Sequence, residues 1–451
     1  MVNEHYDAAV IGMGPGGEVA ASRLLAAGKR VAVVERELIG GECGYWACIP
    51  SKTLLRPLEA AAGAAGAAGL DGPQPDWAGM RAYRDTMIRH LDDSAQVEGY
   101  RSQGAAVFTG TARLAGRDPW TVAVDEHRLT ADHVVVATGS SASRPPIAGL
   151  EEVEVWTNRQ ATTVEEIPGR AVVVGGSAVG VELGQFLARM GCSVTLLQRG
   201  PGLMSREEPR VGELAAEALR GDGVDVRTGV VPHRAYRRGG DSVVVLEDGS
   251  EAVGDVVLLA TGRTPRLEDL GLDRVGVEAG PAGLRVDERC RAAPGLWAIG
   301  DVTGVALFTH VAKYQGGVVA ANILGGDRTA AYTGVPRVVF ADPEIAAVGL
   351  TAAQARDRGF DPVSAEVDLT EGLARPWTFA TSPRGRAGVV ADRASRRLLG
   401  AWAVAPLAGE WIHTAALAVR EGIGIDRLRD GIFQFPTYSE GYVLAVEALD
   451  M

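Results

Sequence analysis

Cys43 and Cys48 stand five positions apart in GGECGYWACIPSK, residues 40–52, directly ahead of Pro50, Ser51 and Lys52. Two sulfurs this close can form a crosslink, clip a metal or carry electrons. The chain holds only two further cysteines, Cys192 and Cys290, too few for the disulfide scaffold of a secreted domain. Structural zinc wants four ligands, and no His or second Cys pair lies near these two in sequence. A close pair in such a chain reads as redox-active or metal-binding before it reads as structural. Cys192 and Cys290 sit singly in apolar surroundings and read as small core residues.

Electrons for two sulfurs need a source, and the first forty residues offer one. YDAAVIG, residues 6–12, has the character of a buried parallel-sheet strand. Gly12, Gly14 and Gly17 follow as G-x-G-x-x-G and open a segment of helical period; a second strand, VAVVE, then ends in Glu35. In this order each part has a job. Gly12 permits the tight turn, Gly14 lets a pyrophosphate approach, and Gly17 lets helix pack on strand. The helix N-terminus offers N–H groups to phosphate, and Glu35 can hold a ribose 2′-hydroxyl. The pattern repeats from RAVVVGG, residues 170–176, with Gly175, Ser177 and Gly180, and its second strand runs into Gln198 and Arg199, with Arg206 close behind. An acid there would repel a 2′-phosphate, whereas arginines suit one, so NADPH is expected over NADH, with NADH possible.

Composition bounds the rest. The 451 residues suit two to four domains, and 46% apolar with 23% charged residues is ordinary for a globular protein. A net charge of −12 argues against nucleic acid or an anionic membrane as partner. No apolar run reaches spanning length and the N-terminus lacks a signal pattern, so a cytoplasmic protein is expected. The tract EAAAGAAGAAGLDGPQPDW, residues 59–77, reads as a helix end running into a surface loop.

Taken together, these residues resemble the FAD-dependent pyridine nucleotide-disulfide oxidoreductases, the family of glutathione reductase, dihydrolipoamide dehydrogenase and mercuric reductase. The likeness rests on the cysteine pair with IPSK, ATGS at 137–140, ATGR at 260–263, WAIGDV at 297–302 and PTYSE at 436–440, in that order. The resemblance implies an α/β fold with two Rossmann-like dinucleotide-binding domains and a C-terminal α+β interface domain that forms a homodimer. Expected bounds are 1–145 and 263–335 for a split FAD domain, 146–262 for the NAD(P) domain and 336–451 for the interface domain. It implies FAD in the first glycine site, with Glu35 on the adenosine ribose and Asp301 on the ribityl chain. Ala112, Thr138, Gly139, His310 and Gly262 fall at further cofactor positions. Cys48 would face the flavin and Cys43 would meet a thiol or disulfide substrate. A lowered cysteine pKa, supplied by the helix start after Cys43, is expected to help. Lys52 and Glu182 match the family's ion pair beside the flavin.

Two departures bear on the acceptor. Disulfide-reducing members carry His-Pro-Thr-x-Ser-Glu near the C-terminus, where the His protonates the leaving thiolate. Here Glu440 is kept, the His position is Phe435, and no His follows His413. Three readings result. Tyr438, Tyr442, His413 or water moves the proton to a disulfide. Or the acceptor needs no acid, as with a metal ion or quinone. Or Phe435 excludes protons as in the family's carboxylating, C–S-cleaving member. Mercuric reductase resembles RGPGLMSREEP, residues 199–209, and shares the Phe-Pro, but it binds metal through a C-terminal cysteine pair that LAVEALDM lacks. The second departure is Tyr45-Trp46 between the cysteines, which reads equally as a wall for a flat substrate or as local packing. A non-catalytic, flavin-loaded scaffold is the remaining class, opposed by the retained cysteines, Lys52, Glu182 and both glycine sites.

Overall fold

The computed structural model describes residues 4–451. They divide into two compact units. The first runs from the start of the described chain to Pro50 and adds Tyr83–Ser143 and Arg263–Ala331; the second is Ser51–Ala82, Arg144–Gly262 and Tyr332–Met451.

The first unit is organised by a sheet whose parallel heart is Leu296–Ala298, His127–Val136, β1 (Glu4–Ile11), β2 (Val31–Glu35) and Ala106–Thr109, in that spatial order. Alternate residues of these Val- and Ala-rich strands feed opposite faces. Ile11, Val34 and Val136 enter one buried cluster, while Val10, Val33 and Val135 enter another. A strand apolar on both sides can only sit in a sheet covered on both faces, which is why the run reads as continuous rather than alternating. The second cluster also holds Ala20, Ala21 and Leu24 of α1 (Pro15–Ala26) and Val318 to Ala320 of the helix Thr309–Ile323. Small residues let these two helices approach: a Cβ on Gly316 would stand 2.5 Å from the Gly16 carbonyl oxygen.

The second unit holds a five-stranded parallel sheet, ordered Asp225–Thr228, Ser193–Gln198, Arg170–Val174, Val256–Leu259, Val155–Trp156. It also holds a five-stranded antiparallel sheet formed by segments between Pro336 and Val404. Phe186 and Leu196 of the nucleotide half share one cluster with Val339, Trp402 and Val404 of the C-terminal half. Leu54, Leu55 and Leu58, on the long helix α3 (Cys48–Gly66), join the same cluster. Stretches separated by over a hundred residues therefore fold as one body here. The Ala/Gly-rich tract is helical to Gly66 and carries no regular element from there until Trp77.

Both glycine turns leave no room for side chains where they fold back. Gly180 shows the tightest fit: an added Cβ would stand 1.9 Å from the Gly175 oxygen. Gly180→Ala is expected to lower stability by about 2–4 kcal/mol and to weaken nicotinamide-dinucleotide binding, as read by thermal melts and dinucleotide titration.

Candidate active site

The two glycine turns share one geometry. Gly12 sits at φ +96° with a would-be Cβ 2.4 Å from the Ala137 oxygen, and Gly175 at φ +110° with the same 2.4 Å to the Ala260 oxygen. Gly17 faces the Gly12 oxygen at 2.0 Å as Gly180 faces Gly175. Gly14 differs: it N-caps α1, and nothing comes nearer than 4.0 Å to an added Cβ. Bare backbone with room at a helix N-terminus fits the pyrophosphate of a dinucleotide. At the second turn Ser177 N-caps the helix Ala178–Arg189, and its hydroxyl donates back to the Ala260 carbonyl at 3.4 Å.

The acidic and amide positions superpose in role. Met13 N–H donates to Glu35 Oε2 at 2.8 Å and Glu37 N–H to its other oxygen at 2.9 Å. Gly176 N–H donates to Gln198 Oε1 at 3.0 Å. Burial pushes the Glu35 pKa up, and the backbone donors, Met13 first, oppose it. The second turn thus keeps the hydrogen bond and loses the charge. Arg199 and Arg206 are exposed, and neither side chain has an ion-pair partner among the described residues.

Other predicted cofactor residues cluster in the first unit. Ser140 Oγ donates to Asp301 Oδ2 at 2.5 Å, and Arg263 Nε lies 3.6 Å from that same oxygen. Thr138 Oγ1 donates to the Arg266 carbonyl at 2.7 Å, and Gly139, at φ +71°, accepts from Arg266 N–H. His310 is exposed and stacks on Phe308, ring centroids 5.2 Å apart. Ala112 is buried in an antiparallel strand pairing with Val124, so it offers only backbone and a methyl. Gly262 takes φ +111° where the chain passes between units.

Cys43 lies in the short helix α2 (Gly41–Tyr45) and Cys48 begins α3; both are thiols in this structure. Cys48 Sγ is 3.4 Å from Thr309 Oγ1, at the start of the helix Thr309–Ile323. The expected lowering of the Cys43 pKa is corrected. A hydrogen bond with Cys48, then burial, push that thiol well above its ordinary range, with Thr309 and Lys313 pulling weakly the other way. Tyr45 is fully buried, its hydroxyl donating to the Ile39 carbonyl at 3.1 Å, so it packs and does not wall a substrate site. Trp46 tilts against it at 5.7 Å.

Within the second unit, Lys52 Nζ lies 2.7 Å from Glu182 Oε2. The other Glu182 oxygen accepts from Phe340 N–H at 2.8 Å, and the Phe340 ring lies 4.9 Å from the Lys52 ammonium. Phe340 and Thr309 escaped the sequence reading because a backbone donor and a hydroxyl carry no motif of their own.

At the C-terminus Phe435 is 66% exposed and precedes Pro436 through a cis peptide bond. Glu440 accepts from Thr437 N–H at 2.9 Å at the start of the helix Glu440–Glu447. Tyr438 and Tyr442 are corrected as proton donors. Both are buried against Trp411, and burial pushes Tyr438 up to about 12 and Tyr442 well above its ordinary value. His413 is exposed on the helix Ala408–Arg420. No cluster of three or more His, Cys, Asp or Glu suited to a metal occurs among the described residues. No helix among them is long and apolar enough to cross a membrane.

Residues 6–316 match the family model described as pyridine nucleotide-disulphide oxidoreductase, and residues 335–446 match its dimerisation domain. The mercuric reductase of Streptomyces lividans is 35% identical over 98% of this chain and 96% of its own. The dihydrolipoyl dehydrogenase of Thermus scotoductus is 37% identical over 98% and 97%. Among solved structures, the HOCl-induced flavoprotein disulfide reductase RclA from Escherichia coli aligns with a TM-score of 0.86 at 26% identity, over 98% of this chain and 99% of that one. That protein has also been solved as a Cu(II) complex.

Proposed function

The chain belongs to the pyridine nucleotide-disulphide oxidoreductase family of FAD- and NAD(P)H-dependent enzymes, and on that premise we propose that it reduces a thiol-reactive acceptor at Cys43 with electrons from NADPH. The observation that carries this reading is the placement of the pair: Cys48, five positions after Cys43, sets its sulfur 3.4 Å from Thr309 Oγ1, the first residue of a helix that packs on the Gly12–Gly17 cradle. Held by the Gly12–Gly17 turn and Glu35, FAD would supply the two-electron chemistry that links a nicotinamide donor to the Cys43–Cys48 disulfide.

The remaining work falls to this chain's residues. Glu35 and the α1 N-terminus bind adenosine ribose and pyrophosphate, and Asp301, oriented by Ser140 and Arg263, holds the ribityl hydroxyls. Lys52, fixed by Glu182, supplies the cation that the family resemblance sets beside the flavin. Opening the disulfide takes two electrons and one proton, leaving Cys43 as thiol and Cys48 as thiolate, the order favoured by the raised Cys43 pKa. Cys43 must then shed its proton to attack.

NADPH selection is assigned to Arg199 and Arg206, two exposed cations beside the neutral Gln198. Replacing both with alanine should lower kcat/KM for NADPH roughly 10²-fold, a loss equivalent to one or two charge-assisted hydrogen bonds. The value for NADH should hold within about threefold; steady-state kinetics with both dinucleotides check this.

For the acceptor, a soft divalent metal ion is favoured over a disulfide. Phe435 cannot protonate a leaving thiolate, and the buried tyrosines cannot replace it. A metal displaces the Cys43 proton directly and needs no such acid. Relatives named for mercury reduction, and a disulfide reductase solved as a Cu(II) complex, are compatible with a metal acceptor. A homodimer is part of this proposal, with Ile432, Phe435, Leu417 and Trp377 exposed in or beside the dimerisation segment. The test sets Hg(II) and Cu(II) against small disulfides under NADPH. The wild type should turn over the metals and barely the disulfides, while Phe435→His should raise disulfide turnover roughly tenfold or more. Efficient disulfide turnover by the wild type would sink the metal reading.

A further inference from the structure

Glu42 immediately precedes Cys43 in α2 and has no part in the steps above. Its carboxylate is gripped by two arginines: Arg266 Nη2 lies 3.3 Å from one oxygen and Arg263 Nη2 lies 3.9 Å from the other. Arg263 also donates to the Ser140 hydroxyl at 2.6 Å and to its carbonyl at 2.8 Å. Ser140 in turn donates to Asp301, which Arg263 approaches to 3.6 Å. Arg266 is pinned through its own backbone, by Gly139 and Thr138. The four charged side chains are each only about a fifth exposed, at 17% for Glu42, 20% for Arg263, 22% for Arg266 and 23% for Asp301. Two carboxylates and two guanidiniums balance, so the cluster is neutral as built.

We propose that Glu42 is a positioning residue for the cysteine pair: clamped by Arg263 and Arg266, it ties α2 to the Ser140–Asp301 corner and cancels the positive charge beside Cys43. This rests on the reading of Cys43 and Cys48 as a reversible dithiol–disulfide couple. Reduction of that disulfide consumes two electrons and one proton and creates one thiolate. Positive charge nearby stabilises the thiolate and so the reduced state, while negative charge favours the disulfide. Removing the Glu42 carboxylate leaves two guanidiniums facing one carboxylate. Removing the Arg266 guanidinium leaves the opposite imbalance. Lys313, the cation that acts on the Cys43 thiol, stays in place in both variants.

The opposite signs make the test. The FAD-loaded protein is equilibrated in dithiothreitol redox buffers, the thiols are alkylated, and the fraction of Cys43–Cys48 disulfide is read by mass spectrometry. Glu42→Gln should shift the equilibrium about tenfold toward dithiol, some 30 mV for a two-electron couple. Arg266→Gln should shift it severalfold toward disulfide, the double variant should return to within about twofold of wild type, and Glu42→Asp should lie between wild type and Glu42→Gln. A purely structural role would displace both single variants in one direction. Shifts of the same sign, or none, overturn the inference, and Arg266→Gln alone decides the sign if Glu42→Gln does not fold. Failure of the wild type to form this disulfide in any buffer would overturn the couple itself instead.

Discussion

Cys48→Ser will abolish acceptor reduction, by roughly 10³-fold or more, while the protein stays folded and keeps its FAD. Cys48 starts α3 half-buried, with its sulfur against Thr309 Oγ1 at 3.4 Å, and serine can occupy that place without strain. The loss therefore reports chemistry. A hydroxyl forms no disulfide, so electrons entering the protein have no sulfur to open. Cys43→Ser should be as inactive toward the acceptor for a different reason, since it removes the sulfur that attacks. Reduction of the flavin by NADPH should persist in both variants, which stopped-flow absorbance would show. Survival of acceptor turnover in Cys48→Ser would mean that electrons leave without passing through sulfur, as they would to a quinone. Because Cys43 holds its proton unusually tightly, its alkylation rate in the wild-type dithiol should climb steadily as pH rises through the alkaline range. A plateau reached below neutral pH would contradict that.

Lys52→Met is expected to slow flavin reduction by NADPH about 10²-fold, the usual scale for removing one preorganised charge from a reacting centre. The cation is not a passing surface lysine. Glu182, buried in the helix Ala178–Arg189, holds it at 2.7 Å, and the Phe340 backbone N–H holds Glu182. Glu182→Gln keeps an oxygen for Phe340 N–H and removes only the charge, so it should slow the same step less, about tenfold. Its stability should fall by about 1 kcal/mol, since Lys52 is a third exposed and water screens much of the pair's attraction. Stopped-flow reduction and denaturant melts separate the two effects. Equal rates in wild type and Lys52→Met would remove this pair from the reaction.

Much of the site was legible because motif chemistry is local. Gly12, Gly17, Gly175 and Gly180 stand where a Cβ would strike a carbonyl, as G-x-G-x-x-G spacing requires. Lys52 and Glu182 meet although 130 residues apart, a pairing supplied by family resemblance and not by spacing. Interactions that depend on tertiary neighbours were hidden. The helix start after Cys43 suggested a lowered pKa, yet the sulfur of Cys48 and burial outweigh it. Tyr438 and Tyr442 carry hydroxyls that look useful in sequence, and only packing against Trp411 reveals them as core. Glu42 drew no notice because its partners, Arg263 and Arg266, are more than two hundred residues away. Likewise, nothing in the sequence announced that Phe186 and Trp402 would share one core.

If the Cys43–Cys48 pair carries the electrons, counting them as they enter the protein will show it. The oxidised, FAD-loaded protein is titrated anaerobically with NADPH, and thiols are alkylated and identified at each point. Each chain should take up two electron pairs, with Cys43 and Cys48 becoming alkylatable as one pair is consumed. Uptake of a single pair, with both sulfurs unchanged when the flavin is fully reduced, would contradict it.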